Sequence, residues 1–191
     1  MTIEELYKNF GENFKRIATL TPDSGNPEWT KATYRYFYKE GIENGFKVWA
    51  KPNVLAEGEQ EYIVDLCWSK ELGSDYKDYM GLELALESEW LTSKDDIMWD
   101  FCKLIDIKSF FKVMVICVRG EEVNPMLEEM RETIKKSRIK FPDENYLIIV
   151  FMPLPTISNP RQYVIEGYRV NCEGASDKLQ SVDYIFNQVV I

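Results

Sequence analysis

Apolar positions along the chain switch between helical and strand spacing, and the switches predict the elements. Ile3, Leu6, Tyr7, Phe10, Phe14 and Ile17 recur at helical spacing, with Thr2 and Glu5 placed as a capping box, so residues 2–19 predict an amphipathic helix. A turn over 21–25 follows. Asn26-Pro27 then starts a second helix, with Asn as the cap and Pro at the first helical position. It carries Trp29, Thr33, Tyr36 and Phe37 and ends near Gly41 or Gly45.

Three strands are predicted next, at 46–50, 61–68 and 81–90. The polar, Gly-containing stretch 69–80 suits an antiparallel connection between the last two. Residues 95–107, introduced by Thr92-Ser93, predict a helix, and the continuous apolar run 110–118 predicts a strand covered on both faces. Val123, Leu127, Met130 and Ile134 mark another helix. Residues 146–151 form a fully apolar strand ended by Pro153 and Pro155, and 163–170 reads as a strand at a sheet edge, because both its faces carry polar groups. Leu179, Val182, Phe186 and Val189 predict a terminal helix over 176–189. No repeat, low-complexity tract or dividing linker interrupts the order. The expectation is one α/β domain over 1–191, with a core at about 26–118, the N-terminal helix 2–19 and a C-terminal α/β extension at about 119–191.

Composition narrows the chemistry. The 191 residues are 45% hydrophobic and 29% charged, an ordinary globular balance. There is no histidine, which excludes Ser-His-Asp and Cys-His catalysis, histidine-ligated zinc and any histidine base. Cys67, Cys102, Cys117 and Cys172 form no C-x-x-C pair and read as buried free thiols. The acidic start, Thr2 to Glu5, lacks a signal-peptide core, and no apolar run reaches the ~20 residues that cross a bilayer. A cytoplasmic protein with no membrane association is expected.

The informative residues are carboxylates inside predicted strands. Asp65 stands between Val64 and Leu66, and Glu83, Glu87 and Glu89 alternate with Leu82, Leu84, Leu86 and Trp90. Acids within core strands cost free energy unless they are paired, hydrated or hold a cation. If the two strands are neighbours, Asp65 and Glu87 converge on one ion. The bland alternative for the glutamates is a solvated strand face; Asp65, amid Tyr62, Ile63, Val64, Leu66 and Trp68, is harder to explain that way.

With Asp65 on the second predicted strand and Glu87-Ser88-Glu89 on the third, 22 residues later, the chain resembles the PD-(D/E)xK, or restriction-endonuclease-like, nuclease superfamily. The resemblance covers roughly 26–118. It implies a mixed central sheet with an αβββαβ core. It also implies Mg²⁺ or Mn²⁺ held by Asp65, Glu87 and the Ser88 carbonyl, and phosphodiester cleavage of nucleic acid, DNA ahead of RNA. The sequence departs from the pattern twice: Val64 precedes Asp65 where Pro is common, and Glu89 stands in place of the motif lysine. Some members carry Glu there, and others move the lysine to the following helix, where Lys103 is the candidate. Asp65, Glu87, Glu89 and Lys103 are thus the expected catalytic set. On a helical wheel, however, Lys103 lies away from the apolar face of Ile97, Met98, Phe101, Leu104 and Ile105, so a plain Asp100–Lys103 surface pair is the competing reading. Lys108 and Lys112 are other possible cations. Glu40 and Glu43 are minor metal candidates, otherwise simply exposed, and Tyr34, Tyr36, Phe37 and Tyr38 either stack bases or face the core.

Charge sharpens the picture. Residues 57–100 hold 13 acids and 3 lysines, a net of −10, while the rest of the chain holds 19 acids and 20 bases. This suits a cation site and repels bare nucleic acid. Phosphate contacts would have to come from Lys31, Arg35 and Lys39, or from Lys135, Lys136, Arg138 and Lys140, the latter otherwise the ordinary cationic end of a helix. The same fold with a damaged site, acting as a protein-interaction or regulatory domain, is the alternative function, and a homodimer or protein partner is compatible with it.

Overall fold

Thr2 and Glu5 close the expected capping box: the Glu5 amide donates to the Thr2 hydroxyl at 3.1 Å and the Thr2 amide to Glu5 at 2.7 Å. The helix they open, α1 (Ile3–Ala18), buries Ile3, Leu6, Tyr7, Phe10 and Phe14. It belongs to a computed structural model that describes residues 1–18, 20, 24–51, 63–71, 79–90, 93–153 and 162–185. The expected features at 21–23, 61–62, 72–78, 92, 155 and 186–189 lie outside the described residues.

Helix α2 (Asn26–Glu43) starts at Asn26 itself, so its cap falls one residue before the expected one. Gly25 is the N-cap, and its amide donates to Glu28 Oε2 at 2.9 Å. Gly45, with φ of +79°, ends the helix in the left-handed conformation that glycine tolerates. Strands β1 (Lys47–Ala50), β2 (Leu66–Glu71) and β3 (Tyr79–Trp90) form an antiparallel meander. Helix α3 (Lys94–Asp106), capped by Ser93, crosses to β4 (Ser109–Cys117), which runs parallel to β3. Helix α4 (Gly120–Lys136) crosses to β5 (Asn145–Pro153), parallel to β4. Strand β6 (Gln162–Asn171) returns antiparallel to β5, and β7 (Ser176–Lys178) and β8 (Val182–Ile185) both pair with it. The sheet order is β1-β2-β3-β4-β5-β6-β7, so the fold is α/β with a mixed sheet, as expected.

Helices cover both faces. Under α1 and α2 lie Leu66, Trp68, Leu84, Leu86, Val113, Val115, Leu147, Ile149 and Phe151, packed on Phe10, Phe14, Trp29 and Phe37. Under α3 and α4 lie Cys67, Ala85, Met114, Ile116, Ile148 and Val150. Double coverage is why β4 and β5 read as unbroken apolar runs.

Four expectations fail here. The terminal helix is absent over its described part: residues 176–178 and 182–185 are strands, because β6 has an open side to pair and Val182, Tyr184 and Ile185 are β-branched or aromatic. For the same reason β6 is not an edge. Strand β3 carries an irregularity: Trp68 opposes Leu84 but Ser69 opposes Leu82, so one extra residue, Glu83, breaks the alternation. Leu82 therefore joins the α3 side with Ala85, not the side of Leu84 and Leu86. Finally, Cys102 is exposed on α3, while Cys67, Cys117 and Cys172 are buried free thiols.

Candidate functional site

Asp65 is not inside a strand. It is the residue immediately before β2, in a bend, and its backbone carbonyl accepts the Lys51 amide at 2.9 Å. That bond extends the β1–β2 ladder by one rung and brings Asp65 level with the end of β3. The β2–β3 register, Leu66 opposite Leu86, then sets Asp65 beside Glu87 and Ser88. The Asp65 carboxylate is buried, with Oδ2 accepting the Ser88 amide at 3.1 Å and Oδ1 3.4 Å from Lys51 Nζ. The Tyr34 hydroxyl on α2 is close enough to feel its charge. Burial, followed by the charges of Asp65, Glu87 and Glu89, pushes the Tyr34 hydroxyl far above its ordinary range, so it stays a donor.

Glu87 points to the α3 side, in phase with Ala85, and is fully buried at 0% exposure. Neither of its carboxylate oxygens meets an aligned hydrogen-bond donor among the described residues. Lys103 Nζ lies 2.8 Å from Oε1 and supplies an ion pair without hydrogen-bond alignment. Burial and then the neighbouring Asp65 raise the Glu87 carboxyl from an ordinary 4.5 to about 9, against the opposing pull of Lys103. Glu89, on the same strand face, is half-buried.

Lys103 meets two acids at once. Its ammonium lies 2.6 Å from Asp100 Oδ1, three residues back on α3, and 2.8 Å from Glu87. It lies away from the apolar face of α3, yet its long side chain reaches the sheet. Burial favours the neutral amine, but Asp100 and Glu87 outweigh it and hold Lys103 above the ordinary lysine range. Lys103 is therefore held in its cationic form.

The remaining candidates lie elsewhere. Lys112 is fully buried on the α4 side, paired with Glu144 and donating to the Ile105 carbonyl at 3.1 Å. Glu40 is not exposed: it is buried and accepts from Asn9 at 3.1 Å, tying α2 to α1. Glu43 pairs with Lys39 on the surface. Tyr34, Tyr36 and Phe37 are core residues. Lys31 and Arg35 are exposed on α2, as are Lys135, Lys136 and Arg138. A cavity of about 750 Å³ opens at the opposite end of β3, lined by Tyr79, Met80, Phe110 and Phe141, and it includes none of Asp65, Glu87 and Glu89.

Sequence reasoning missed Lys51 and the polar role of Tyr34. Both come from elements distant in sequence, so local periodicity holds no sign of them; only the position of Lys51, just after a strand, placed it near a ladder end. Among the described residues no group of three or more acidic or cysteine side chains is gathered as a ready metal cage. No family model, curated protein or solved structure matches the chain.

Proposed function

We propose that this protein is a divalent-metal-dependent phosphodiesterase acting on nucleic acid, with a PD-(D/E)xK arrangement whose lysine comes from the helix after the motif strand. The observation that carries this reading is Glu87, a wholly buried carboxylate with no aligned donor, beside a second acid. Such a group is costly in an apolar interior unless a cation is meant to sit there.

The donor set fits a hard cation. Mg²⁺ and Mn²⁺ take oxygen ligands, few of them from the protein. Asp65 and Glu87 would hold the ion. The Ser88 carbonyl lies on the same side of its strand as the Ser88 amide that Asp65 accepts, since both backbone groups of an extended residue point to one neighbour. When bound, the ion supplies phosphate polarisation and a more acidic water. Lys103, held cationic by two carboxylates, would orient the attacking water or a phosphate oxygen. Glu89, half-buried on the same strand face, would take a proton. The observed order α2-β1-β2-β3-α3-β4, with a three-stranded meander and a parallel fourth strand, supports the superfamily reading. Exposed cations on α2 and after α4 suit phosphate contacts, with DNA ahead of RNA as substrate.

A second reading has its own observation. Each acid already has a lysine, Lys51 for Asp65 and Lys103 for Glu87, so the pair is charge-compensated without a metal. On that reading the domain is an inactive partner module. Cleavage of labelled single- and double-stranded DNA and RNA with Mn²⁺, at two salt concentrations, separates the two. Activity that falls with salt and vanishes in Asp65→Asn supports the enzyme. No cleavage by pure protein, or equal cleavage by the variant, leaves the partner module.

A further inference from the structure

Lys103 is shared between two acids of different depth. Glu87 is wholly buried, the Asp100 side chain is 13% exposed, and the Lys103 side chain is 34% exposed. The ammonium thus stands at the mouth of the site with one carboxylate inward and one beside it on its own helix. Its two contacts, 2.8 Å and 2.6 Å, are nearly equal, so a small swing of the side chain is enough to favour either acid. A divalent cation at Glu87 and an ammonium on the same carboxylate compete for the same charge.

We infer that Asp100 is a positioning residue for the proposed reaction: it takes the Lys103 ammonium from Glu87 when a divalent ion enters, and keeps that ammonium at the site's edge. This inference rests on the metal-dependent reading. The spacing of the pair explains the choice of residue. Asp100 and Lys103 are i and i+3 on α3, adjacent on the helix surface, so the lysine can transfer its contact without movement of the backbone. Among the described residues, the acid that contacts Lys103 besides Asp100 is the one the metal needs. Without Asp100 the ammonium stays on Glu87 as a built-in competitor.

The test is a double-mutant cycle read by Mn²⁺ binding alone, using calorimetry on the full chain without substrate. Asp100→Asn should weaken Mn²⁺ binding about tenfold, the order of one redistributed charge-assisted hydrogen bond. Asp100→Glu, which keeps the charge, should bind within about twofold of the wild type. Lys103→Gln should bind at least as tightly as wild type, and Asp100→Asn added to Lys103→Gln should have no further effect. That last result distinguishes action through Lys103 from a simple loss of nearby negative charge, which would weaken binding in both backgrounds. Equal weakening in both backgrounds, or wild-type affinity in Asp100→Asn, overturns the role of Asp100 while leaving the metal site intact. If wild-type protein binds no Mn²⁺, the metal-dependent reading itself fails, and the role of Asp100 with it. Should Asp100→Asn prove unfolded, the Asp100→Glu and Lys103→Gln affinities decide: an Asp100→Glu loss of about tenfold overturns the inference.

Discussion

The Asp65 carboxylate accepts the Ser88 backbone amide at 3.1 Å, across from the strand that carries Glu87. One side chain thereby pins the end of β3 and sets the spacing of the two acids. Asp65 has a structural task as well as its proposed ligand task, and the two can be measured apart. In metal-free buffer, Asp65→Ala should lower unfolding free energy by about 1–3 kcal/mol, because the Ser88 amide loses a buried acceptor. Asp65→Asn keeps an acceptor oxygen and should cost less. Both variants should lose the stabilisation by Mn²⁺ expected of the wild type, about 2.7 kcal/mol at a hundred times the dissociation constant. Urea titrations with and without Mn²⁺ check this, and Mn²⁺ stabilisation retained in Asp65→Ala would remove Asp65 from the ligand set.

Glu87 should make stability depend on pH. Its carboxyl is raised from 4.5 to about 9 in the folded chain, so the folded state holds a proton that the unfolded state releases within that window. The stabilising contribution is complete below the unfolded value and is lost as pH rises toward the folded one. Metal-free wild-type protein should therefore lose stability between about pH 5 and 9, and Glu87→Gln should flatten that slope. Melting temperatures across this range in chelating buffer give the comparison. Parallel curves for the two proteins would contradict the raised carboxyl.

Two lysines should differ in what they support. Lys103 touches Glu87, so Lys103→Ala should reduce cleavage about a hundredfold or more. Lys112 is buried against Glu144, with the Tyr146 hydroxyl donating to the same carboxylate at 3.0 Å. Lys112→Met strands that charge and should cost about 3–5 kcal/mol. Adding Glu144→Leu should recover most of the loss, since a buried pair is replaceable by apolar groups more easily than it is broken. Single-turnover cleavage and urea unfolding on the same samples separate the two roles. A stable Lys112→Met protein would show that Glu144 is not held as described.

Gly41 is a packing position. A Cβ there would lie 2.6 Å from Trp68 Nε1 and 2.7 Å from Val48 Cγ2. Trp68 cannot yield easily, because its indole donates to the Phe37 carbonyl at 2.9 Å. Gly41→Ala should destabilise the protein by about 1–3 kcal/mol through overpacking. Unfolding measured by tryptophan fluorescence reports it directly, and an unchanged midpoint would mean that α2 can shift off the sheet at no cost.

By itself the sequence determined the order of elements from α1 to β5, and with it the α/β class. Periodicity of this kind is a property of short windows: a helix repeats its apolar stripe and a doubly covered strand is apolar throughout, whatever lies elsewhere. Asp65 and Glu87 were legible as acids in the wrong surroundings, which is also a local signal. Tertiary structure alone decided the rest. It placed Asp65 one residue outside its strand, where a ladder bond to Lys51 holds it. It put a bulge into β3 and turned Leu82 to the other face. It converted 176–178 and 182–185 into strands, because the open side of β6 supplied pairing that a short terminal helix could not match. It also brought Lys103 to Glu87, which a helical wheel could not foresee. A wheel gives angles around one helix, whereas the reach of a lysine depends on how that helix is set against the sheet.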